Sequence, residues 1–305
     1  MENRVSFYAR IALGVAAVSS GGVLVRLAAG ASPLAVAAWR LVLASAVVVP
    51  LAAARGTLQA IRRRDLVLGI LSGAALAAHF VLWISSLEFT SVASSVLFVS
   101  THPLFVAIGG ALFLGERVGR SVALGIGITL LGGVLVGSSD LTLGAWVGDL
   151  LALGGGLFAA IYFLIGRRLR PHVSLVDYTA VTYGTAAVLT LAACLVFRVR
   201  LIGFAPQTYL WLGLLAIGPQ LIGHSTFNWA LRHLPAAKVS VLILGEPVGA
   251  ALLAYLVFGE TLTWLRALGA VIILVGIYVS LRSKEVIDGT RSGEDRVGSE
   301  SHAAP

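Results

Sequence analysis

A carboxyl group stands at Glu246, inside "AAKVSVLILGEPVGAALLAYLVFGE", where Lys238 is the only other charge before Glu260. A carboxylate in such a run needs a charged partner or takes up a proton. It either binds a solute or proton, or serves structure by capping a helix broken at Pro247. His79 and Trp83 lie four apart in a second apolar run and share one helical face. His79 either accepts, donates or shuttles a proton, or is a satisfied structural histidine. Trp83 either stacks on an aromatic or cationic ligand or packs as core. His224 and Asn228 form a similar pair. Ser95, Phe98 and His102 are spaced three and four apart and can face one cavity. Tyr162 offers a ring and a hydroxyl, although an interfacial tyrosine is common. Arg40 either snorkels outward or attracts a substrate carboxylate. Pro103 and Pro247 are the expected bends.

Other chemistries are absent from the sequence. The glycine runs "GIGITLLGGVLVG" and "GDLLALGGGLFAA" lack the lysine and strand context of a phosphate loop. No short-spaced metal-ligand cluster or serine nucleophile motif appears, and no cofactor is expected. Cys194 is alone and cannot form an internal disulfide.

The elements that carry these residues follow from composition. Of 305 residues, 58 % are hydrophobic and 12 % charged, and mean hydropathy is +0.95. A soluble domain carries about twice that charge. A helix needs about 20 apolar residues to cross hydrocarbon. Ten runs are read as spans: Phe7–Ala28, Leu34–Ala54, Leu66–Leu87, Val92–Leu114, Val122–Val136, Ala145–Ile165, Leu175–Phe197, Tyr209–Ala230, Ala236–Phe258 and Leu265–Leu281; the fifth is short, and Gly137 and Ser138 can extend it. None alternates as a barrel strand would. The first run is read as a retained span rather than a cleaved signal. The expected fold is therefore all-α, an integral membrane protein with ten transmembrane helices. Residues 7–138 and 145–281 form its two repeats, and 282–305 a disordered cytoplasmic tail.

With the N-terminus in the cytoplasm, 17 of the 22 basic residues fall on that side, as positive-inside asymmetry requires. Both termini are then cytoplasmic. The net charge of +8 finds a sufficient partner in anionic lipid, and nucleic acid is not expected. A monomer is expected, a dimer being the alternative.

A shift of 144 residues aligns the halves. "THPLFVAIGGALFLGE" from Thr101 falls on "GEPVGAALLAYLVFGE" from Gly245, matching Pro103 with Pro247, Gly115 with Gly259 and Glu116 with Glu260. Five spans per half invert the second half, an arrangement used for alternating access. Thirteen residues cover about 20 Å of helix, so the prolines lie well inside the bilayer. The carbonyls they release must be satisfied within the protein. Asp149 and Asp177 sit near helix ends, where capping or headgroup contact is expected, and Glu88, Glu116 and Glu260 at ends where structural or gating contacts are expected. A lipid-modifying membrane enzyme using Glu246 or His102 and a channel are the competing classes; catalysis alone needs no inverted repeat, and a channel would show unsaturable conductance without dependence on proline-linked bending.

These residues are similar to a known family. "PLAVAAWRLVLA" at Pro33–Ala44, "EFTSVASSVLFVSTHPLFVAIGGALFLGE" at Glu88–Glu116 and "FNWALRHLPAAKVSVLILGEPVGAALLAYLVFGE" at Phe227–Glu260 resemble the EamA branch of the drug/metabolite transporter superfamily. The resemblance covers about residues 8–282. It implies export of small metabolites across the bacterial inner membrane, with amino acids, aromatic ones included, as the nearest substrate class. Purines, sugars and cationic drugs are exported by other relatives. It also implies a central cavity near His79, Trp83, Phe98, His102, His224, Asn228 and Glu246, with proton coupling an open alternative to transport down the solute gradient.

Overall fold

The computed structural model describes residues 4–90, 92–137, 146–259 and 263–282. Among them every regular element is helical. Eight stretches are long and apolar enough to cross a membrane. The two remaining expected spans are helical but differ. The fifth is a shorter apolar helix, and the eighth is interrupted by a π-helical stretch.

In chain order, α1 runs Arg4–Ser19 and continues as Gly21–Leu27; α2 is Pro33–Arg55 and α3 is Arg63–Ser86. The path α4 comprises Val92–Val99, His102–Gly109 and a π-turn at Gly110–Leu114, and α5 is Arg120–Gly137. Then come α6 (Trp146–Leu169) and α7 (Leu175–Val196). The path α8 comprises Pro206–Leu215, the π-helix Ala216–His224 and Ser225–Ala230. Finally, α9 comprises Ala236–Ile243 and Glu246–Phe258, and α10 is Trp264–Leu281. Glu260 and the expected tail from 283 onward lie outside the described residues.

Local chemistry sets the ends. Ser32, Ser174 and Thr263 accept the first free amides of α2, α7 and α10, as N-caps should. The paths α4 and α9 both end on a left-handed glycine, Gly115 at φ 66° and Gly259 at φ 68°. That geometry strains any residue with a Cβ, which gives the matched glycines of the two halves one shared reason. Within α8, Pro219 cannot donate to the carbonyl of Leu215, and the widened π-helix spans that defect.

The inside is small and tight, the outside large and apolar. Leu112, Phe113, Val196 and Trp264 are all more than 70 % exposed, a surface suited to hydrocarbon rather than water. Glycines bring helices together. A Cβ on Gly276 of α10 would stand 2.8 Å from the Thr129 amide of α5, and one on Gly132 would meet the Gly269 carbonyl at 2.7 Å. Without a hydrophobic force between helices in lipid, such close backbone packing is what holds them. Helices α3, α4, α6, α8 and α9 enclose the centre, with α1 and α2 beside them.

Candidate functional site

Two breaks dictate the centre of the molecule. In α4 the helix stops at Val99 and restarts at His102; in α9 it stops at Ile243 and restarts at Glu246. Each restart puts a proline in the first helical turn, Pro103 or Pro247. Proline has no amide hydrogen for the carbonyl four residues back, which is Val99 or Ile243. His102 Nδ1 lies 3.2 Å from the Val99 carbonyl oxygen. A carbonyl only accepts, so Nδ1 carries the hydrogen and repairs the first break. Gly156 makes room for this on α6: a Cβ there would come within 2.9 Å of the same oxygen.

Between the breaks lies a cavity of about 60 Å³. Arg40, His79, Trp83, His102, His224 and Glu246 line it. Four pairs of its lining residues are separated by the same 144 positions: Phe80 and His224, Trp83 and Phe227, Val99 and Ile243, His102 and Glu246. The cavity therefore takes equivalent positions from both halves but different chemistry.

Helices hold each polar group differently. His79 Nδ1 donates to the Gly155 carbonyl at 2.9 Å, and its ring stacks parallel to Trp83 with centroids 6.2 Å apart. This leaves the Nε2 lone pair of a neutral His79 as an acceptor. Arg40 is 2 % exposed, so the snorkelling alternative does not hold. Its Nε donates to Gln220 Oε1 at 2.7 Å and its guanidinium lies 4.0 Å over the Phe80 ring. Those contacts compensate the buried charge and turn it inward. Glu246 is tied to α1 through its backbone carbonyl, which accepts from Ser19 Oγ at 3.3 Å.

Several polar atoms of the cavity residues have no partner among the described residues. They are Trp83 Nε1, His102 Nε2 and His224 Nδ1, each shielded from solvent. Buried polar atoms are nearly always satisfied, and an orphan needs an explanation. Three orphans around one cavity, with Arg40 and Glu246 on its wall, match a guest that both donates and accepts hydrogen bonds.

Four expected cavity residues lie elsewhere. Tyr162 donates to Asn228 Oδ1 at 2.7 Å, and Asn228 Nδ2 donates to Tyr183 at 3.3 Å. The backbone carbonyl of Asn228 also takes Arg170 Nε at 3.0 Å. Asn228 and Tyr162 thus spend their polar atoms on a helix-joining network. Ser95 is paired with Ser86 at 2.6 Å, fixing α4 on α3. Phe98 is half-buried and outside the lining, where Val99 and Ser100 stand instead. Gln220, Phe80 and Phe163 stand at or behind the cavity without a spacing pattern that marks them in the sequence. Only the buried polarity of "GPQLIGH" hinted at Gln220.

At one end of the bundle the halves are latched. Glu116, just past α4, accepts Arg167 Nε at 2.6 Å on Oε1 and the Ala236 amide at 3.0 Å on Oε2. Arg167 also donates to the Leu231 carbonyl at 2.8 Å. Ala236 opens α9, so Glu116 caps a helix whose own N-cap, Pro235, has no side-chain acceptor. Among the described residues no group of three metal-ligating side chains assembles.

Comparison with known proteins gives this geometry a context. The model of the EamA-like transporter family matches the chain twice, over residues 7–138 and 146–282. An uncharacterized transporter of Archaeoglobus fulgidus is 28 % identical over 203 residues, 66 % of this chain and 71 % of the relative. The uncharacterized transporter YyaM of Bacillus subtilis is 26 % identical over 259 residues, 81 % of this chain and 83 % of the relative. A crystal structure with 19 % sequence identity superposes with a TM-score of 0.77, covering 90 % of this chain and 97 % of that one. At that identity the likeness speaks for the fold.

Proposed function

This chain belongs to the EamA-like transporter family, and on that footing we propose that it exports amino acids or similar small metabolites by alternating access. Ten crossings in two inverted sets of five, with both termini in the cytoplasm of a bacterial cell and the chain in its inner membrane, complete the proposal. The observation that carries it is the set of orphaned polar atoms of Trp83, His102 and His224 beside Arg40 and Glu246. A zwitterion answers that set. Its carboxylate meets the Arg40 guanidinium, a planar donor suited to carboxylates. Its ammonium meets Glu246. The rings of Phe80, Phe163 and Phe227 accept its apolar part.

The mechanism starts from a closed centre. A cavity of about 60 Å³ falls far short of the roughly 300–1,000 Å³ that houses a bound drug-sized molecule. The walls must part for a solute to enter. The two proline breaks are where α4 and α9 can bend, and the Glu116–Arg167–Ala236 latch shuts the cytoplasmic mouth. Breaking it opens the cavity inward; re-forming it commits the solute to the other side. Glu246 is the group that carries a proton if transport is proton-coupled.

Purified protein in liposomes, loaded with a panel of amino acids, nucleobases and quaternary amines, tests this. Saturable flux of amino acids over the other classes is expected, and saturable flux of only another class refutes the substrate assignment. An imposed pH gradient that leaves the rate unchanged removes proton coupling and leaves the solute gradient as driving force.

A further inference from the structure

A second recess lies away from the central cavity, where the loop between α2 and α3 meets the loop between α6 and α7. Its volume is about 590 Å³, and Arg62, Arg64, Arg168 and His172 line it together with Asp65 and Asp177. The two acids are committed internally. Asp177 is buried, and its oxygens accept from Thr57 Oγ1 and Ser174 Oγ, each at 2.6 Å. Asp65 lies 3.3 Å from His172 Nε2. Among the described residues no carboxylate pairs with Arg62, Arg64 or Arg168. Three guanidinium groups thus line one recess without a direct carboxylate partner among the described residues, and they outnumber the two carboxylates of the same lining.

The surroundings say what kind of anion fits. Directly after Arg64, α3 presents Leu66, Val67, Ile70 and Leu71 to the outside, each between 39 % and 51 % exposed. These side chains sit on a helix long and apolar enough to cross the membrane. The recess therefore stands at the boundary between water and hydrocarbon, with a lipid-facing stripe running away from it. Guanidinium forks suit the oxygens of phosphate, and basic pockets between transmembrane helices hold anionic headgroups. From this arrangement we infer that the recess is a seat for a phosphate group, filled by the headgroup of an anionic phospholipid whose acyl chain lies along α3. Because it joins a loop of each half, an occupied seat clamps the halves together at the same end as the Glu116 latch.

Native mass spectrometry of the full chain tests the inference. Protein is released from mixed micelles of phosphatidylglycerol and phosphatidylcholine, and retained lipid is counted. The wild type retains one phosphatidylglycerol in preference to phosphatidylcholine. Arg64→Gln and Arg168→Gln each lower that retention about five-fold. Arg63→Gln, which removes the same charge from the same helix turn outside the recess, leaves it unchanged. Inorganic phosphate distinguishes the two sources of the group. Raised melting temperature with millimolar phosphate in wild type but not in Arg64→Gln, without lipid preference, assigns the seat to a soluble phosphate compound. Equal retention of both lipids by wild type with no phosphate effect overturns the proposal. So does an Arg63→Gln loss equal to that of Arg64→Gln, since the charge would then act from anywhere on the surface. The wild-type arms need no variant to fold, and none depends on solute flux, so they stand or fall apart from the transport reading.

Discussion

The breaks in α4 and α9 occupy equivalent positions, yet they solve the same backbone problem with different side chains. Pro103 releases the Val99 carbonyl, and His102 Nδ1 donates to it. Pro247 releases the Ile243 carbonyl, and the residue at the matching place is Glu246. An ionised carboxylate has no hydrogen to give. The first break is therefore repaired in either state of the remaining His102 nitrogen. The second can be repaired in the same way only when Glu246 carries a proton. The two halves thus break their helices at matching positions, one beside a histidine that bonds the freed carbonyl and the other beside a carboxyl group on the cavity wall. On the proposed mechanism, a proton taken up by Glu246 would let it donate to the Ile243 carbonyl, so that the bend and the site would change together.

The difference can be broken most severely at Glu246. Glu246→Ala removes the charge opposite Arg40 and leaves that guanidinium buried without it; liposome flux is expected to fall at least 100-fold. His102→Ala should cost roughly ten-fold in flux and also lower the melting temperature, because it exposes an unsatisfied carbonyl, a loss of about 1–3 kcal/mol. Equal losses in flux from the two variants would erase the proposed asymmetry.

Glu246→Gln sharpens the comparison. An amide can donate to the Ile243 carbonyl as His102 donates to Val99, but it cannot titrate. If a pH gradient drives wild-type flux, this variant should lose that response entirely while keeping measurable exchange of solute. Persistence of the pH response in Glu246→Gln would assign the proton to another group. A smaller effect is expected from the prolines. Pro103→Ala restores one amide donor next to an already repaired break, and flux should change no more than three-fold. Pro247→Ala should slow flux several-fold more than Pro103→Ala, measured side by side. Least of all, Glu116→Gln keeps the side chain's size but leaves a single accepting oxygen, so it holds either Arg167 or the Ala236 amide and not both; about a two-fold change in flux is expected.

Much of this was legible in the sequence, and the limits have physical causes. Apolar run lengths mark the helical paths because hydrocarbon thickness fixes how long a span must be. Helical period places His79 with Trp83 on one face, and their rings do stack. Period cannot say which neighbour a face meets. Asn228 shares the i, i+4 spacing with His224, yet it turns to Tyr162 and Tyr183 across α6 and α7. The pairing of Arg40 with Gln220 links positions 180 residues apart, beyond any local pattern. The π-helix that carries Gln220 and His224 in α8 shifts the helical phase, so a strict 3.6 period misdirects that segment. The 144-residue repeat was visible as matched prolines and glycines, whereas the matched lining pairs, such as Trp83 with Phe227, share position but not residue type.

Alternating access through this cavity is tested most directly at Ser100, which lines it and is 8 % exposed. Ser100→Cys is placed in a Cys194→Ser background and labelled with a membrane-impermeant maleimide in right-side-out and inverted vesicles. Labelling from both faces is expected, with the cytoplasmic rate raised and the opposite rate lowered when Glu116→Gln loosens the latch. Labelling from a single face, unmoved by Glu116→Gln, would contradict alternating access.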